Sequence, residues 1–346
     1  PLTPEEKDAR GRFDALGYVR ARHPEVFVRD GEQALLPRDV LPRYIWSDGV
    51  RGWMKQLYTV ARSFIRREGH SVEIWAAAPP ATWFLEQWGR DTFIAITGLL
   101  IDTGSFDDAK DNLRSFARYA YNGIIPNRIW DPKNIEYNSA DGSMWFIQAV
   151  KAYAGKSGDA AFVREMLPVL RHIVFHYRRG TGYERSGGFH KIHMDEDGLI
   201  VNPAQATWMD AVVNGDPVTP RDGKAVEINA LWYANLRFMA AVDGQNASEY
   251  TALADQVKLS FNAKFWNSSS AADTRAAPLF DVIEGDAHAG ALRPNMIFAV
   301  SHGGDLLPLD RQLAVVDAVR EYLMTPFGPR TLAPMDSYYK AFYNTH

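Results

Sequence analysis

The chain has 346 residues, 46% apolar and 23% charged, the usage of an ordinary soluble globular protein, so a disordered chain, a collagen-like repeat and a coiled coil are excluded. Lys plus Arg number 38 against 42 Asp plus Glu, a formal net charge of -4, which leaves no basic excess to neutralise a phosphate backbone and argues against nucleic acid as a partner. The chain has no Cys, which removes disulfides and Cys nucleophiles, and its longest apolar run, Phe93 to Ile101, is too short to cross a bilayer.

The chain opens at Pro1 without a signal-peptide pattern, and residues 1–50, weakly periodic and broken by Pro and Gly, read as an irregular lead-in or linker. From residue 51 to 346 the pattern is helical, and it alternates in kind. Residues 53–66 carry an apolar stripe of Trp53, Leu57, Ala61 and Phe64 or Ile65. Residues 91–101 are apolar nearly all round, residues 106–120 return to one face, and residues 142–153 are again apolar on most sides. Residues 159–177 are amphipathic around Pro168, residues 225–241 are apolar throughout, and residues 249–265 show Leu253, Val257, Phe261 and Phe265 in a stripe. Residues 294–301 form a short apolar piece, and residues 309–323 close with Leu309, Leu313, Val316, Val319 and Leu323. A striped helix sits at the surface and an all-apolar one is buried on every side. Their alternation predicts an all-α fold of two concentric shells, an (α/α)6 toroid, with the helices that complete the ring expected after His346. Strand signal is thin. Residues 187–201 alternate weakly about Asp197-Gly198 and suggest a hairpin.

Polar and aromatic strings lie just ahead of the inner helices. If those helices run the same way, their N-terminal ends meet at one mouth. The mouth would be lined by Trp88, Arg90, Asp91, Asn127, Asn138, Asp141, Trp145, Trp208, Asp210, Arg221, Glu227, Asn229, Trp232, Arg293 and Asn295. Amides and charged groups bind hydroxyls in pairs, while indole faces cover the apolar side of a ring, so a polyhydroxylated ligand fits. Structural roles compete at each position. Asp91 and Asp210 could cap helices, the arginines could pair across the mouth, the tryptophans could pack in the core, and Glu227 could be a buried partner for an arginine. His172 and His176 at i and i+4 lack the further ligands of a zinc site, and the His190–Asp197 string lacks calcium-loop spacing, so both read as structural. Glycoside hydrolysis needs two carboxyl groups, one of them an acid of raised pKa, and Asp210, after Trp208 and Met209, fits the acid by local context.

Six strings occur in order: WGRDTFIAITGLL, GIIPNRIW, EYNSADGSMWF, QATWMDA, TPRDGKAVEINALWY and RPNMIFAVS. Together they resemble the amylo-α-1,6-glucosidase domain of glycogen debranching enzymes, from about residue 52 to 346. The resemblance implies a cytoplasmic glycosidase that removes α-1,6-linked glucose from branch points of glycogen or another branched α-glucan, by inversion and without a cofactor. It carries the general-acid role to Asp210, and sugar binding to Arg90, Asp91, Asn127, Asp141, Trp208, Arg221, Glu227, Arg293 and Asn295. The family's general base is a Glu near the end of its domain, for which no matching segment occurs by His346, and its transferase domain has no counterpart here. The base is therefore expected beyond His346, and a further N-terminal domain is expected in the same protein. Another inverting α-glucosidase, glucoamylase-like or trehalase-like, and a glucan-binding module without catalysis remain the alternatives.

Overall fold

The computed structural model describes residues 60–68, 71–76, 86–185, 188–271, 275–285 and 289–342. Helices dominate. The inner set is α1 (Gly89–Ile96), which runs on through a π turn at Thr97–Ile101, then α3 (Gly142–Ser157), α5 (Val226–Val242) and α7 (Phe298–Ser301), entered from a 3₁₀ turn at Pro294–Ile297. The outer set is α2 (Phe106–Ala117), α4 (Ala160–Arg179), α6 (Ala247–Lys264) and α8 (Leu309–Ala318), the last extended by a π turn at Val319–Leu323. The inner helices pack in chain order, α1 on α3, α3 on α5, α5 on α7, and α4, α6 and α8 back onto α3, α5 and α7. The two-layer alternation of helices is therefore present across the described residues.

Local chemistry sets these boundaries. Gly158 takes the left-handed conformation (φ 67) that ends α3, and Asp159 then caps α4 by accepting the Phe162 backbone N–H at 3.0 Å. Outer and inner thus reverse within two residues. α4 buries Phe162, Met166, Leu170, Ile173, Val174 and Tyr177 on one face. α3 buries every residue from Gly142 to Val150. Where α1, α2 and α3 meet, Phe93 packs edge-on against Phe116 (4.8 Å) and Phe146 (5.2 Å). Each such fully buried ring stabilises the fold by roughly 2 kcal/mol.

Three expectations need correction. The predicted lead-in and residues 53–59 lie outside the described residues, but the end of the 53–66 helix does not. After one helical turn at 60–63 the chain forms β1 (Ile65–Glu68), paired antiparallel with β2 (Ser71–Ile74). Val72 and Ile74 alternate into the core there, and that period of two overrides the helical stripe. On α8 the predicted stripe splits: Leu309, Leu313 and Val316 face water, while Val319 and Leu323, in the π turn that follows, are buried together with Val315 and Ala318. Two apolar stripes overlap on that helix, and periodicity alone does not choose between them. Strands are also more numerous than expected. Two three-stranded sheets form, one of β3 (Gln87–Trp88), β4 (Arg128–Asp131) and β5 (Asn134–Glu136), the other of β6 (Thr181–Arg185), β7 (Gly188–Met194) and β8 (Ile200–Val201). The Asp197-Gly198 turn does join paired strands β7 and β8, with Gly198 at φ 82, but the long partner of β7 is β6. No helix among the described residues is long and apolar enough to cross a membrane.

Candidate active site

The ends of the inner helices meet through two buried arginines. At the start of α1, a Cβ on residue 89 would lie 2.1 Å from the Pro126 carbonyl oxygen, so only Gly89 allows the approach, and its N–H donates to the Asn127 carbonyl at 2.8 Å. The next residue, Arg90, reaches to the N-terminus of α3. Its Nε and Nη2 donate to the two carboxylate oxygens of Asp141 at 2.6 and 2.8 Å, a two-pronged pair. The Ser139 hydroxyl donates to Asp141 at 2.6 Å and accepts the Gly142 N–H at 2.8 Å, so Ser139 caps α3. The remaining Arg90 nitrogen, Nη1, points at Asp210 Oδ2, 3.5 Å away.

Asp210 is the least committed carboxylate of the group, its side chain 36% exposed. Burial lifts its pKa above the usual carboxylate value; the Arg90 charge works against that shift and the Asp141 charge adds to it. Burial works against the charge of Arg90, yet Asp141, by charge and hydrogen bond, and Asp210 hold it above the ordinary arginine value.

The second arginine is Arg221, fully buried and held at φ 50, beside Gln205 at φ 62. Two non-glycine residues in the left-handed region within one loop system mark a backbone fixed by its surroundings. Arg221 bonds both oxygens of Glu227, in the first turn of α5, and both of Asp281, with Nε to Oδ2 at 2.7 Å, and it reaches Thr207 Oγ1 at 3.2 Å. Asp281 accepts Asn295 Nδ2 at 2.8 Å, and Asn295 Oδ1 accepts the Trp208 indole N–H at 2.8 Å. Arg293 Nε lies 3.7 Å from Asp281. This chain of bonds ends on Trp208, 37% exposed and two residues from Asp210. Arg90 and Trp208 therefore secure the segment that carries Asp210 from two sides.

The structure draws Arg90, Asp141, Trp208, Asp210, Arg221, Glu227, Arg293 and Asn295 into these two networks. Asn127 and Asn138 join each other by a 3.2 Å bond behind the Gly89 contact. Asp91 lies in the first turn of α1, whose N-cap is Trp88 rather than Asp91. Trp88 itself has the Arg128 guanidinium over its ring at 4.6 Å. Three predicted residues turn away. Trp145 packs edge-on against Phe298 and His302 and lines an apolar cavity of 440 Å³ along α1, α3 and α7. Trp232 is buried, stacked on Tyr177, its N–H given to the Gly198 carbonyl. Asn229 uses its amide on the backbone of Ile200 and Ala225.

Sequence reading missed Ser139, Thr207, Asp281 and Tyr183. Tyr183, on β6, is buried, stacks flat on His190 (5.3 Å), and its hydroxyl has no hydrogen-bond partner among the described residues. Burial pushes that hydroxyl up to about 12, and it lies within electrostatic reach of Asp141, Arg90 and Asp210. Of the histidine and aspartate strings, His172 and His176 pack edge to face at 4.4 Å, and Asp195 and Asp197 bind the Lys224 ammonium at 2.9 and 2.8 Å. Among the described residues no group of three or more His, Asp or Glu side chains is gathered as a metal site.

The comparisons with known proteins put this alternating inner and outer helical scaffold in the glycoside hydrolase class. The chain belongs to the amylo-alpha-1,6-glucosidase family, whose model matches residues 59–346. It is 26% identical over 356 residues to the glycogen debranching enzyme of Saccharomyces cerevisiae, covering 80% of this chain and 23% of that protein. It is 27% identical over 251 residues to solabiose phosphorylase of Paenibacillus borealis, covering 67% of this chain and 30% of that one. The chain thus spans about a quarter of the length of these relatives. Among solved structures, the GH78 family rhamnosidase of Bacillus sp. GL1 shares the fold at a TM-score of 0.52 and 18% identity, over 69% of this chain and 23% of that one. A rhamnosidase from Klebsiella oxytoca with rhamnose bound matches at 0.50 and 12% identity, over 71% of this chain and 42% of that one.

Proposed function

We propose that this chain is the part of a debranching enzyme that hydrolyses α-1,6-linked glucose at branch points of glycogen or limit dextrin, with inversion. Asp210 is the general acid. The observation that carries this reading is its carboxyl, raised by burial yet still open to a ligand, between Arg90 at 3.5 Å and the Trp208 ring two residues away. The acid gives its proton to the glycosidic oxygen as the bond from C1 to that oxygen breaks. Water attacks C1 from the opposite face and gives its proton to the base. Asp141, Glu227 and Asp281 are each clasped by an arginine, which suits them to hold the site rather than to activate water. The base in this reading is a Glu beyond His346, about 6.5–9.5 Å from Asp210 when in place. The glucose bound next to the acid takes hydroxyl contacts from Arg90, Asp91, Asn138 and Arg293 and a ring face from Trp208, while the buried Asn127, Asp141 and Asn295 hold those groups in place. Trp88 and Tyr183 flank it, while Arg221 and Glu227 act from beneath. Trp145, Asn229 and Trp232 support the inner helices from within.

The test is glucose release from phosphorylase limit dextrin by the protein that includes this chain and the residues beyond His346, with the product anomer followed by NMR. β-Glucose is expected, and Asp210→Asn is expected to cut the rate about 10³-fold. α-Glucose would remove inversion. Release from linear maltooligosaccharides but not from limit dextrin would make the enzyme another α-glucosidase. Because one relative is named a phosphorylase, a parallel run with inorganic phosphate is informative: glucose 1-phosphate as product would replace hydrolysis.

A further inference from the structure

A second cavity, this one polar, lies at the β3–β4 sheet and shares no lining residue with the Asp210 networks; its volume is 510 Å³, inside the range of small-ligand pockets. Three aromatic rings line it, Trp75, Tyr119 and Trp130. Trp130 is 58% exposed, a large apolar surface left open to water. Between the rings stand charges of both signs, Arg66 and Arg118 against Glu73, Glu86 and Asp131. Glu86 is paired with Arg128, so the remaining two positive and two negative charges balance and give no net attraction for a phosphate or a cation. The mixture offers hydrogen bonds to a neutral molecule that has apolar faces and many hydroxyls. Gln87, 8% exposed, lines the same cavity. The cavity is also joined to the mouth. The Arg128 guanidinium is layered between the Trp130 ring (3.9 Å) and the Trp88 ring (4.6 Å), and Trp88 follows Gln87 directly at the start of α1.

We propose that this cavity is a second saccharide site, holding a stretch of α-glucan by stacking on the open face of Trp130 and by hydroxyl bonds to the charged side chains that line it, while the branch is presented to the mouth along Trp88. The ligand class rests on the glucan reading above, but its test needs no turnover. Asp210→Asn serves as the parent, so that ligand is not consumed. Its mobility is measured in native gels containing glycogen, together with its affinity for maltohexaose by titration calorimetry. Trp130→Ala is expected to raise the dissociation constant for both about tenfold, and Trp130→Phe, which keeps a ring face, to stay within about threefold of the parent. Affinity unchanged in Trp130→Ala overturns the proposal. An equal loss in both variants with a lowered melting temperature also overturns it, because the ring would then be structural. If Trp208→Ala weakens binding and Trp130→Ala does not, the mouth is the glucan site and the cavity is not. If glucose release fails and Trp130-dependent binding persists, the cavity stands and the catalytic reading falls.

Discussion

Arg90 and Arg221 are both buried arginines at the ends of inner helices, and they do different work. Arg221 meets two carboxylates, Glu227 and Asp281, with every nitrogen engaged, in a loop whose backbone is fixed at φ 50. Arg90 meets one carboxylate, Asp141, in full and leaves its third nitrogen 3.5 Å from Asp210. The first arrangement is closed and serves to hold strings far apart in sequence. The second is open on one side, so its charge falls on a carboxyl that still sees solvent. Each arginine has two carboxylate partners, so the exposure of the second one, 36% for Asp210 against 4% for Asp281, separates a tuning element from a fastening.

The largest effect that would break this contrast is at the closed network. Arg221→Met leaves Glu227 buried without a counter-ion and Asp281 with Arg293 alone, and unfolding by urea is expected to show a loss of about 3–5 kcal/mol. A loss under about 1 kcal/mol would mean the network does not fasten the mouth. The open network is expected to answer in pH rather than in stability. A general acid must be protonated, so with Asp210 in the proposed role activity is expected to fall as pH rises through its pKa. The Asp141 charge raises that pKa, and Asp141 also occupies Arg90, whose charge lowers it. Asp141→Asn removes the first effect and frees the second, so the alkaline limb of the activity profile moves to lower pH. A limb that stays in place would detach Asp210 from the Arg90 network. The smallest effect is at the link between the two regions. Trp208→Phe keeps a ring but takes the donor from Asn295 Oδ1, while Asn295 keeps Asp281. A loss of about 1 kcal/mol and a KM for limit dextrin raised a few-fold are expected.

The helical order of this fold was legible because burial on one side and burial on all sides leave different periodicities. The span from Gly142 to Val150 is apolar or small but for Gln148, and it is buried throughout. The same property hid the direction of side chains. A helix buried all round has no phase, so nothing in the sequence separated Trp145 and Trp232, which serve the interior, from Trp208, which lies on a loop and faces out. Asp281 was invisible for a related reason. It sits inside the apolar string Leu279 to Ile283 with no cap or turn signal, and only its partner Arg221, on a distant loop, explains its presence. Tyr183 had no motif around it at all. What placed it was strand β6, whose pairing with β7 was not read.

The bonds that build the mouth join residues far apart in the chain: Arg90 to Asp141 across 51 positions, Arg221 to Asp281 across 60, Trp208 to Asn295 across 87, and Arg90 to Asp210 across 120. Contacts so remote close large loops, whose entropy must be overcome before any of them is rewarded. The helix pairs, whose partners are neighbours in sequence, can form first and leave the mouth to assemble last. During refolding, native-like far-ultraviolet dichroism should therefore return before affinity for glucan does, and the interval between the two measures how long the protein spends as a scaffold without a site.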